Sequence, residues 1–337
     1  MKTRIIVSAV LLPIFFAVLF IFPAYILAFV MSVICAIGAY ELLSATGVSK
    51  KKRILVYSMI TAVIIPLIVY LGTLIYSSPL THISLVFSIA FIFICLLVIE
   101  AVLAMTSTSV RGKNVARKNN TVTNENKIKS DDEVNNITRT KNDTKTKNTT
   151  IANKSSNDND KDNKFKFYQI PIAICAGVII PYMLSCLISL KAMPYGHLFV
   201  LLPIISAFLT DSGAYFIGVA FGKRKAFPTI SPNKTVEGCV GGLITGTLGI
   251  VIYGVILENA TPLNVVIPAL MVYGIIGSIV TEFGDLAFSF IKRKCGIKDY
   301  GRLIPGHGGV LDRFDSVTFA APAMYLLVMT LPAIIIN

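Results

Sequence analysis

The sequence predicts an all-α, polytopic integral membrane protein with about nine transmembrane helices. Hydrophobic residues make up 54% of the 337 positions and charged residues only 15%, and the mean hydropathy is +0.72. Apolar runs of about 20 residues recur, and each is long enough to cross a hydrocarbon core of roughly 30 Å. This composition excludes an ordinary soluble protein. The predicted spans are residues 4–22, 24–44, 54–76, 83–106, 167–190, 197–220, 238–257, 264–290 and 317–336.

The first apolar run resembles a signal peptide in its length and position. It lacks a small-residue cleavage site, however, and it continues through Pro23 directly into the second run. We therefore interpret it as a retained helix.

Basic residues follow every even-numbered span. They occupy residues 50–53, 107–166, 222–225 and 289–315, whereas the other three loops between spans carry a single Lys or Arg, Lys191. By the positive-inside rule, the N-terminus and the basic loops are predicted to be cytoplasmic and the C-terminus to lie on the opposite side. A missed or invented span would break this alternation, so the pattern also supports the count of nine.

These patterns divide the chain into a four-helix membrane region (1–106), a basic Asn/Lys-rich cytoplasmic insert (107–166) and a five-helix catalytic membrane region (167–337). The insert has 14 basic and eight acidic residues, a net +6 of the total +13. Such a polar segment cannot bury a core, so we expect disorder. A solvated linker is favoured over a tail that binds anionic lipid heads.

The segment 289–315 carries most of the chemistry that the sequence reveals. It combines Lys, Arg and His side chains with several glycines and three aspartates. Cations recognise phosphate, carboxylates hold divalent metals, and glycines let the backbone approach an anion. Because apolar spans flank the segment on both sides, the pattern favours phosphoryl or nucleotidyl transfer at a membrane surface.

Two acidic pairs border this basic segment. Glu282 and Asp285 lie three residues apart, which places both on one face of a helix, and Asp312 and Asp315 repeat the spacing. Helix N-capping would explain one pair but not both. Carboxylates facing substrate phosphates are typical of a Mg²⁺ site, and Asp285 and Asp312 are the predicted ligands.

Ionisable residues within apolar spans need a reason, because burying them in a membrane is costly. Asp211 lies mid-span among small and hydroxylated residues, so a polar pocket open to the cytoplasm is favoured over a helix–helix hydrogen bond. Glu41 and Glu100 lie near predicted cytoplasmic ends of spans, where structural or snorkelling roles are favoured over chemistry.

Two further groups of residues could bind an anion. Ser231, Lys234 and Thr235 precede the seventh span, where a helix N-terminus adds its dipole, although the spacing is not that of a P-loop. Gly308 and Gly309 would let backbone amides approach a phosphate. The adjacent His307 either takes part in the chemistry or orients the loop.

These motifs together resemble the signature of the phosphatidate cytidylyltransferases, also called CDP-diacylglycerol synthases. The resemblance covers the C-terminal half closely, whereas the first four spans match only in being apolar and the insert is a departure. The matching positions run from Ser289 through Ile291, Lys292, Arg293, Lys298, Asp299, Gly301, Ile304, Pro305, His307, Gly308, Gly309, Val310, Asp312, Arg313, Phe314 and Asp315, with Asp211, Ser212, Ala214, Tyr215, Ser231, Pro232, Lys234, Thr235, Glu237, Gly238, Gly284 and Asp285 upstream.

The resemblance implies that CTP and phosphatidate are converted to CDP-diacylglycerol and pyrophosphate at the cytoplasmic face of the membrane. It further implies a Mg²⁺-dependent homodimer, with K⁺ as a second candidate cation and no nucleic-acid partner. A bacterial plasma membrane is the expected location.

The resemblance also implies roles for single positions. Asp285 and Asp312 would be the principal metal ligands, with Asp315 beside them. Lys292, Arg313 and His307 would complete the catalytic group. The predicted substrate-binding residues are Asp211, Ser231, Lys234, Thr235, Arg293, Lys298, Gly308 and Gly309.

Three other functions fit part of the pattern. A CTP-dependent lipid kinase would release CDP, and an archaeal-type ether-lipid cytidylyltransferase would make a different lipid product. A secondary transporter would also carry an intramembrane acid such as Asp211. Against transport, the polar motifs gather at one predicted membrane face and no inverted repeat is obvious.

Overall fold

The computed structural model describes residues 13–75, 86, 88–97, 99, 169–304 and 308–336. The chain separates into two units, Met1–Phe93 with Pro171–Asn337, and Ile94–Ile170. The second unit falls almost wholly outside the described residues, and the candidate site belongs to the first. The predicted insert and Glu100 also lie outside the described residues, and the three predicted regions remain a prediction.

Long apolar helices dominate the structure, which confirms the all-α membrane class. Among the described residues, six helices are long and apolar enough to cross a bilayer, and they coincide with predicted spans two, three and five to eight. Residues 13–20 are also helical. The helices are α1 (Ala24–Ala45), α2 (Lys52–Ile75), α3 (Ser88–Leu97), α4 (Gln169–Ala192), α5 (Gly196–Phe221), α6 (Val236–Ala260), α7 (Ile267–Lys294) and α8 (Leu311–Thr330).

The predicted bounds of the ninth span, 317–336, are wrong. Helix α8 begins at Leu311, so its first turns include charged residues that hydropathy excludes from a span. A carboxylate such as Asp312 is stabilised there by the N-terminal end of the helix dipole. The helix ends at Thr330 because Pro332 has no N–H to continue the hydrogen-bond ladder.

Two small antiparallel strand pairs supplement the helices in the described part of the chain. Strands β1 (Lys225–Phe227) and β2 (Ser231–Thr235) join α5 to α6. Strand β3 (Leu263–Val265), between α6 and α7, pairs with β4 (Ile334–Ile336) at the end of the chain. Composition did not predict either strand pair, because each strand is only three to five residues long.

Close packing of α5, α6 and α7 brings the polar side chains of these helices together. Glycines line α6 where it packs against α5 and α7. A Cβ at Gly246, for example, would collide with the hydroxyls of Thr210 and Ser278. Those two hydroxyls hydrogen-bond to each other at 2.9 Å, which links α5 to α7. Small residues and hydroxyls of this kind are the usual means of close helix association in membranes.

Candidate active site

The β1–β2 hairpin places a lysine against the acidic face of α7. The Nζ of Lys234, at the end of β2, lies 2.7 Å from Asp285 Oδ2, and both side chains are mostly buried. Burial alone would lower the pKa of Lys234, but the neighbouring carboxylates, Asp285 first among them, raise it above its usual value. Lys234 is therefore positively charged in the folded protein at neutral pH.

A second lysine joins α7 to α8. Lys292, in the last turns of α7, is only 9% exposed. Its Nζ lies 3.0 Å from Asp312 Oδ1 and 3.7 Å from Asp315 Oδ2. Because Asp312 and Asp315 lie three residues apart in a helix, they share a face, and one ammonium group reaches both.

Asp312 also organises the segment between α7 and α8, here named the site loop (residues 295–310, of which 305–307 lie outside the described residues). Its Oδ2 accepts hydrogen bonds from the backbone N–H groups of Tyr300 and Gly309, at 2.8 and 3.0 Å. Gly308 has φ +86°, which favours glycine, and a Cβ there would press on Asp312. Both Asp312 oxygens are thus engaged, one by a lysine and one by the loop backbone.

Asp211 lies in the middle of α5, where the sequence predicted a polar pocket. Its Oδ2 accepts a 2.7 Å hydrogen bond from the hydroxyl of Ser316 on α8. The side chain is exposed despite its position mid-helix, and it interacts electrostatically with Asp285 and Lys234. The structure thus shows the helix–helix hydrogen bond that the sequence analysis considered less favoured, and a polar cavity around Asp211 stays a prediction.

Glu41 of α1 holds the start of α8. Its two carboxylate oxygens accept hydrogen bonds from the N–H groups of Val310 and Leu311, at 3.0 and 2.9 Å. The side chain is only 5% exposed, so a snorkelling role is wrong and a structural role is confirmed. A Cβ at Gly301 or Gly309 would collide with this carboxylate, which explains why the site loop has no side chain at either position.

Negative charge exceeds positive charge among these groups. Five carboxylates interact with one another or with the same lysine and form what we name the acidic cluster: Asp211, Glu282, Asp285, Asp312 and Asp315. Lys234 and Lys292 pair with members of this cluster, so its carboxylates outnumber the lysines that contact them.

Uncompensated charge in a partly buried site is costly, and carboxylate oxygens are the ligands that Mg²⁺ prefers. The donor set therefore fits a divalent cation. Among the described residues, however, no three His, Cys, Asp or Glu side chains are grouped closely enough to hold one as they stand. The two lysines occupy positions between the carboxylates.

The remaining predicted residues have varied surroundings. Ser231 is half-buried at the start of β2, while Lys298 and Arg313 are exposed. Arg293 is exposed too, and its guanidinium donates to the carbonyls of Ile230 and Ile297, which ties the site loop to the hairpin. His307 lies outside the described residues, so its role stays a prediction.

Thr235 has a structural contact that the sequence analysis did not foresee. Its buried hydroxyl oxygen accepts a 3.1 Å hydrogen bond from Gly238 N–H and so caps α6. A capping residue at the N-terminus of a helix satisfies a backbone donor that has no partner within the helix.

Sequence reasoning missed the contacts that Ser316 and Glu41 make with the site. Ser316 directly follows the predicted Asp315, and its hydroxyl was a visible signal. Glu41 lies 269 residues before its partner Val310. It could have been identified because an unsatisfied carboxylate within a span is costly and therefore needs a partner.

Comparisons with known proteins identify the family of the chain. The chain matches the cytidylyltransferase family over residues 2–331. It is 36% identical over 166 residues to the phosphatidate cytidylyltransferase of Bacillus subtilis, a match that covers 49% of this chain and 60% of the relative. The corresponding enzyme of Staphylococcus saprophyticus is 38% identical over 167 residues, covering 50% and 62%.

A third relative gives a shorter match of the same kind. The phosphatidate cytidylyltransferase of Haemophilus influenzae is 45% identical over 130 residues, which covers 38% of this chain and 45% of the relative. The matched part thus spans less than two thirds of the length of these relatives. Because the family match extends over nearly the whole chain, the chain belongs to the cytidylyltransferase family.

Proposed function

We propose that this protein is a phosphatidate cytidylyltransferase, which converts CTP and phosphatidate to CDP-diacylglycerol and pyrophosphate. Family membership and the names of the relatives support the reaction class. The observation that carries the proposal is the pair of lysines, Lys234 and Lys292, held by carboxylates of α7 and α8 at one end of an apolar bundle. Such a site presents cations to phosphates beside the hydrocarbon region that a lipid substrate occupies.

The reaction needs charge neutralisation more than a strong base. A phosphate oxygen of phosphatidate attacks the α-phosphorus of CTP, and the bond from that phosphorus to the bridging oxygen breaks, so pyrophosphate leaves with the electron pair. The nucleophile is already an anion and needs no deprotonation. The difficulty is to bring two anions together in one orientation.

The basic side chains supply that neutralisation in the proposal. Lys234 and Lys292 are the two held within the cluster, and the exposed Arg293, Lys298 and Arg313 lie on or beside the site loop. A phosphate that approaches Lys292 would compete with Asp312 and Asp315 for the same ammonium group. Binding of substrate would therefore free carboxylate oxygens of the acidic cluster.

We propose that Asp285 and Asp312 hold Mg²⁺, with Asp315 beside them and K⁺ as a second candidate cation. The excess of carboxylates over lysines supports this assignment. When bound, the ion would supply positive charge to the phosphates of CTP and to the leaving pyrophosphate. Ser231, Asp211 and the amides of Gly308 and Gly309 would line the cavity, and a ligand role for Thr235 stays a prediction.

We also propose that the site faces the cytoplasm of a bacterial cell and that the protein is a homodimer. The basic loops support the orientation by the positive-inside rule, and CTP is a cytoplasmic metabolite. The bacterial relatives support the cell type.

Labelled CTP distinguishes this function from its rivals. Purified protein is incubated with phosphatidate, Mg²⁺ and CTP labelled at either the α- or the γ-phosphorus. We expect label in the lipid only from the α position, together with release of pyrophosphate. Lipid label from the γ position would assign a lipid kinase instead, and no labelled lipid from either would overturn the proposal. An ether-lipid phosphate used in parallel separates the two cytidylyltransferase reactions.

A further inference from the structure

An apolar groove runs between α1 and α2 and ends at the site loop. Its volume is about 460 Å³, and its lining is almost wholly apolar. The residues that line it are Phe29, Ser32, Val33, Ala36, Ile37 and Tyr40 of α1, Met59, Val63 and Leu67 of α2, and Leu303 of the site loop. The α1 residues repeat at intervals of three and four, so they form one face of that helix.

Two of the described lining residues carry a hydroxyl, Ser32 and Tyr40. The one aliphatic hydroxyl in its lining belongs to Ser32, and it donates to the carbonyls of Ala28 and Val63, at 2.9 and 3.0 Å. These bonds also join α1 to α2 beneath the groove. Apart from the phenol of Tyr40, at the end beside the site loop, the described walls of the groove are apolar, which suits a hydrocarbon chain.

The length of the groove matches one leaflet of a bilayer. Phe29 and Tyr40 are 11 residues apart, about 16 Å along a helix at 1.5 Å per residue. The hydrocarbon core is roughly 30 Å thick, so a leaflet accounts for about half of it.

Continuity with the site identifies which end of the lipid would lie where. Tyr40 precedes Glu41, which binds the N–H groups at the start of α8. Leu303 is 59% exposed, an apolar side chain in a loop otherwise rich in charge. It lies directly before Ile304, which pairs with Gly308. One end of the groove is thus built from the same loop that carries the candidate phosphate-binding backbone.

From this geometry we infer that the groove binds one acyl chain of the phosphatidate substrate while its phosphate lies at Lys292 and the site loop. The inference rests on the proposed function and adds a binding site for the lipid tail. The chain would enter from the bilayer, since α1 and α2 expose apolar side chains on their outer faces. Seating the tail would restrict the lipid to positions in which its phosphate points at the site.

A matched pair of substitutions tests the groove. Val33→Phe fills it, whereas Val56→Phe places the same ring on α2 outside the lining; the two valines are 45% and 49% exposed. Val33 lies seven residues from Tyr40, about 10 Å down the helix, so short acyl chains end above it. For Val33→Phe we expect the KM for dioleoyl phosphatidate to rise about tenfold, equivalent to about 1.4 kcal/mol.

The same variant should leave the KM for CTP and for short-chain phosphatidate unchanged, and Val56→Phe should match the wild type throughout. Equal KM values for the two variants on dioleoyl phosphatidate would overturn the inference. A change of oligomeric state in Val33→Phe without a change in KM would assign the groove to a second copy of the chain. Failure of the wild type to make CDP-diacylglycerol would instead overturn the proposed function.

Photolabelling the wild-type protein tests the groove without any substitution. Phosphatidate with a diazirine in its acyl chain should label peptides that contain Phe29–Tyr40 or Met59–Leu67. Excess unlabelled phosphatidate should suppress that label, and excess phosphatidylcholine should not. Equal suppression by both lipids would mean that the groove holds bulk lipid, and label confined to other helices would also overturn the inference.

Discussion

The C-terminal helices α5–α8 and the N-terminal pair α1–α2 serve the candidate site in different ways. The C-terminal helices and β2 supply the charged side chains: two lysines that pair with Asp285, Asp312 and Asp315, and the further carboxylates of Asp211 and Glu282. The N-terminal pair supplies one buried carboxylate, Glu41, and an apolar groove. The residues that would contact phosphate form a motif that can be recognised in the sequence. The residues that hold the loop backbone or would contact a lipid tail form no such motif.

The largest expected effect falls on the C-terminal half, at Asp285. Asp285→Asn removes a charge that pairs with Lys234 and a predicted metal ligand. Loss of one electrostatic contact to the transition state costs about a hundredfold to a thousandfold in kcat, and we expect a loss in that range. The measurement is turnover of CTP and phosphatidate in detergent or liposomes.

Glu258→Gln is the control for Asp285→Asn. Glu258 is an exposed carboxylate near the C-terminal end of α6, whereas the β1–β2 hairpin precedes the N-terminal end of that helix. The Glu258→Gln variant should retain full activity. Similar rates for the two variants would remove Asp285 from the chemistry and weaken the division between the two halves.

The second effect concerns stability. Lys234→Met leaves Asp285 without its partner, and an unpaired, largely buried charge costs about 3 kcal/mol of unfolding free energy. Because the pKa of Lys234 is raised in the folded protein, the pair stabilises below the usual lysine value of about 10.4 and is lost only as the pH rises through the higher folded value. The stability difference from wild type should therefore be constant between about pH 6 and pH 9.

The double variant Lys234→Met with Asp285→Asn sharpens this prediction. It removes both charges, so we expect it to be more stable than Lys234→Met alone. Additive losses in the double variant would show that the two side chains do not interact.

The third effect tests whether the N-terminal half matters for activity. Glu41→Gln replaces one acceptor oxygen with an amide nitrogen that cannot accept from Val310 or Leu311. A hydrogen bond to a charged group contributes about 2 kcal/mol, so we expect kcat to fall about thirtyfold. Hydrogen exchange at Val310 and Leu311 should become faster, while the rest of α8 stays protected.

Thr46→Val provides the comparison on the same helix end. The Thr46 hydroxyl donates only to carbonyls of its own helix, at Leu42 and Leu43, so its removal should not disturb the site loop. Unchanged kcat and unchanged hydrogen exchange in Glu41→Gln would mean that Glu41 of α1 does not contribute to the activity of the site.

The smallest effect separates a helix cap from a phosphate ligand. Thr235→Ala removes the N-cap of α6 and should cost about 1 kcal/mol of stability. Thr235→Ser keeps the hydroxyl and should restore it. A rise of the KM for CTP in the alanine variant alone would support the predicted ligand role of Thr235, whereas an unchanged KM in both variants would leave Thr235 as a helix cap only.

Much of the site was predictable from the sequence because its residues lie close together along the chain. The three-residue spacing of Asp312 and Asp315 placed both on one helix face, and the structure brings Lys292 to that face. Asp211 was predictable from the cost of a charge in a span. The start of α8 was not predictable, because a hydropathy pattern ends a span at the first charged residue. The helix itself begins earlier, since its dipole stabilises the carboxylate of Asp312 in the first turn.

The sequence by itself determined the class of the protein and predicted the chemistry of its motif. Apolar length requires helices in a bilayer, and a dense set of Lys, Asp and Gly in one loop indicates phosphate and metal. Only the tertiary structure decided which lysine meets which carboxylate, that Glu41 holds a loop nearly 270 residues away, and that α1 and α2 form a groove leading to that loop. These features depend on helix packing and long-range hydrogen bonds, which no local spacing along the chain encodes.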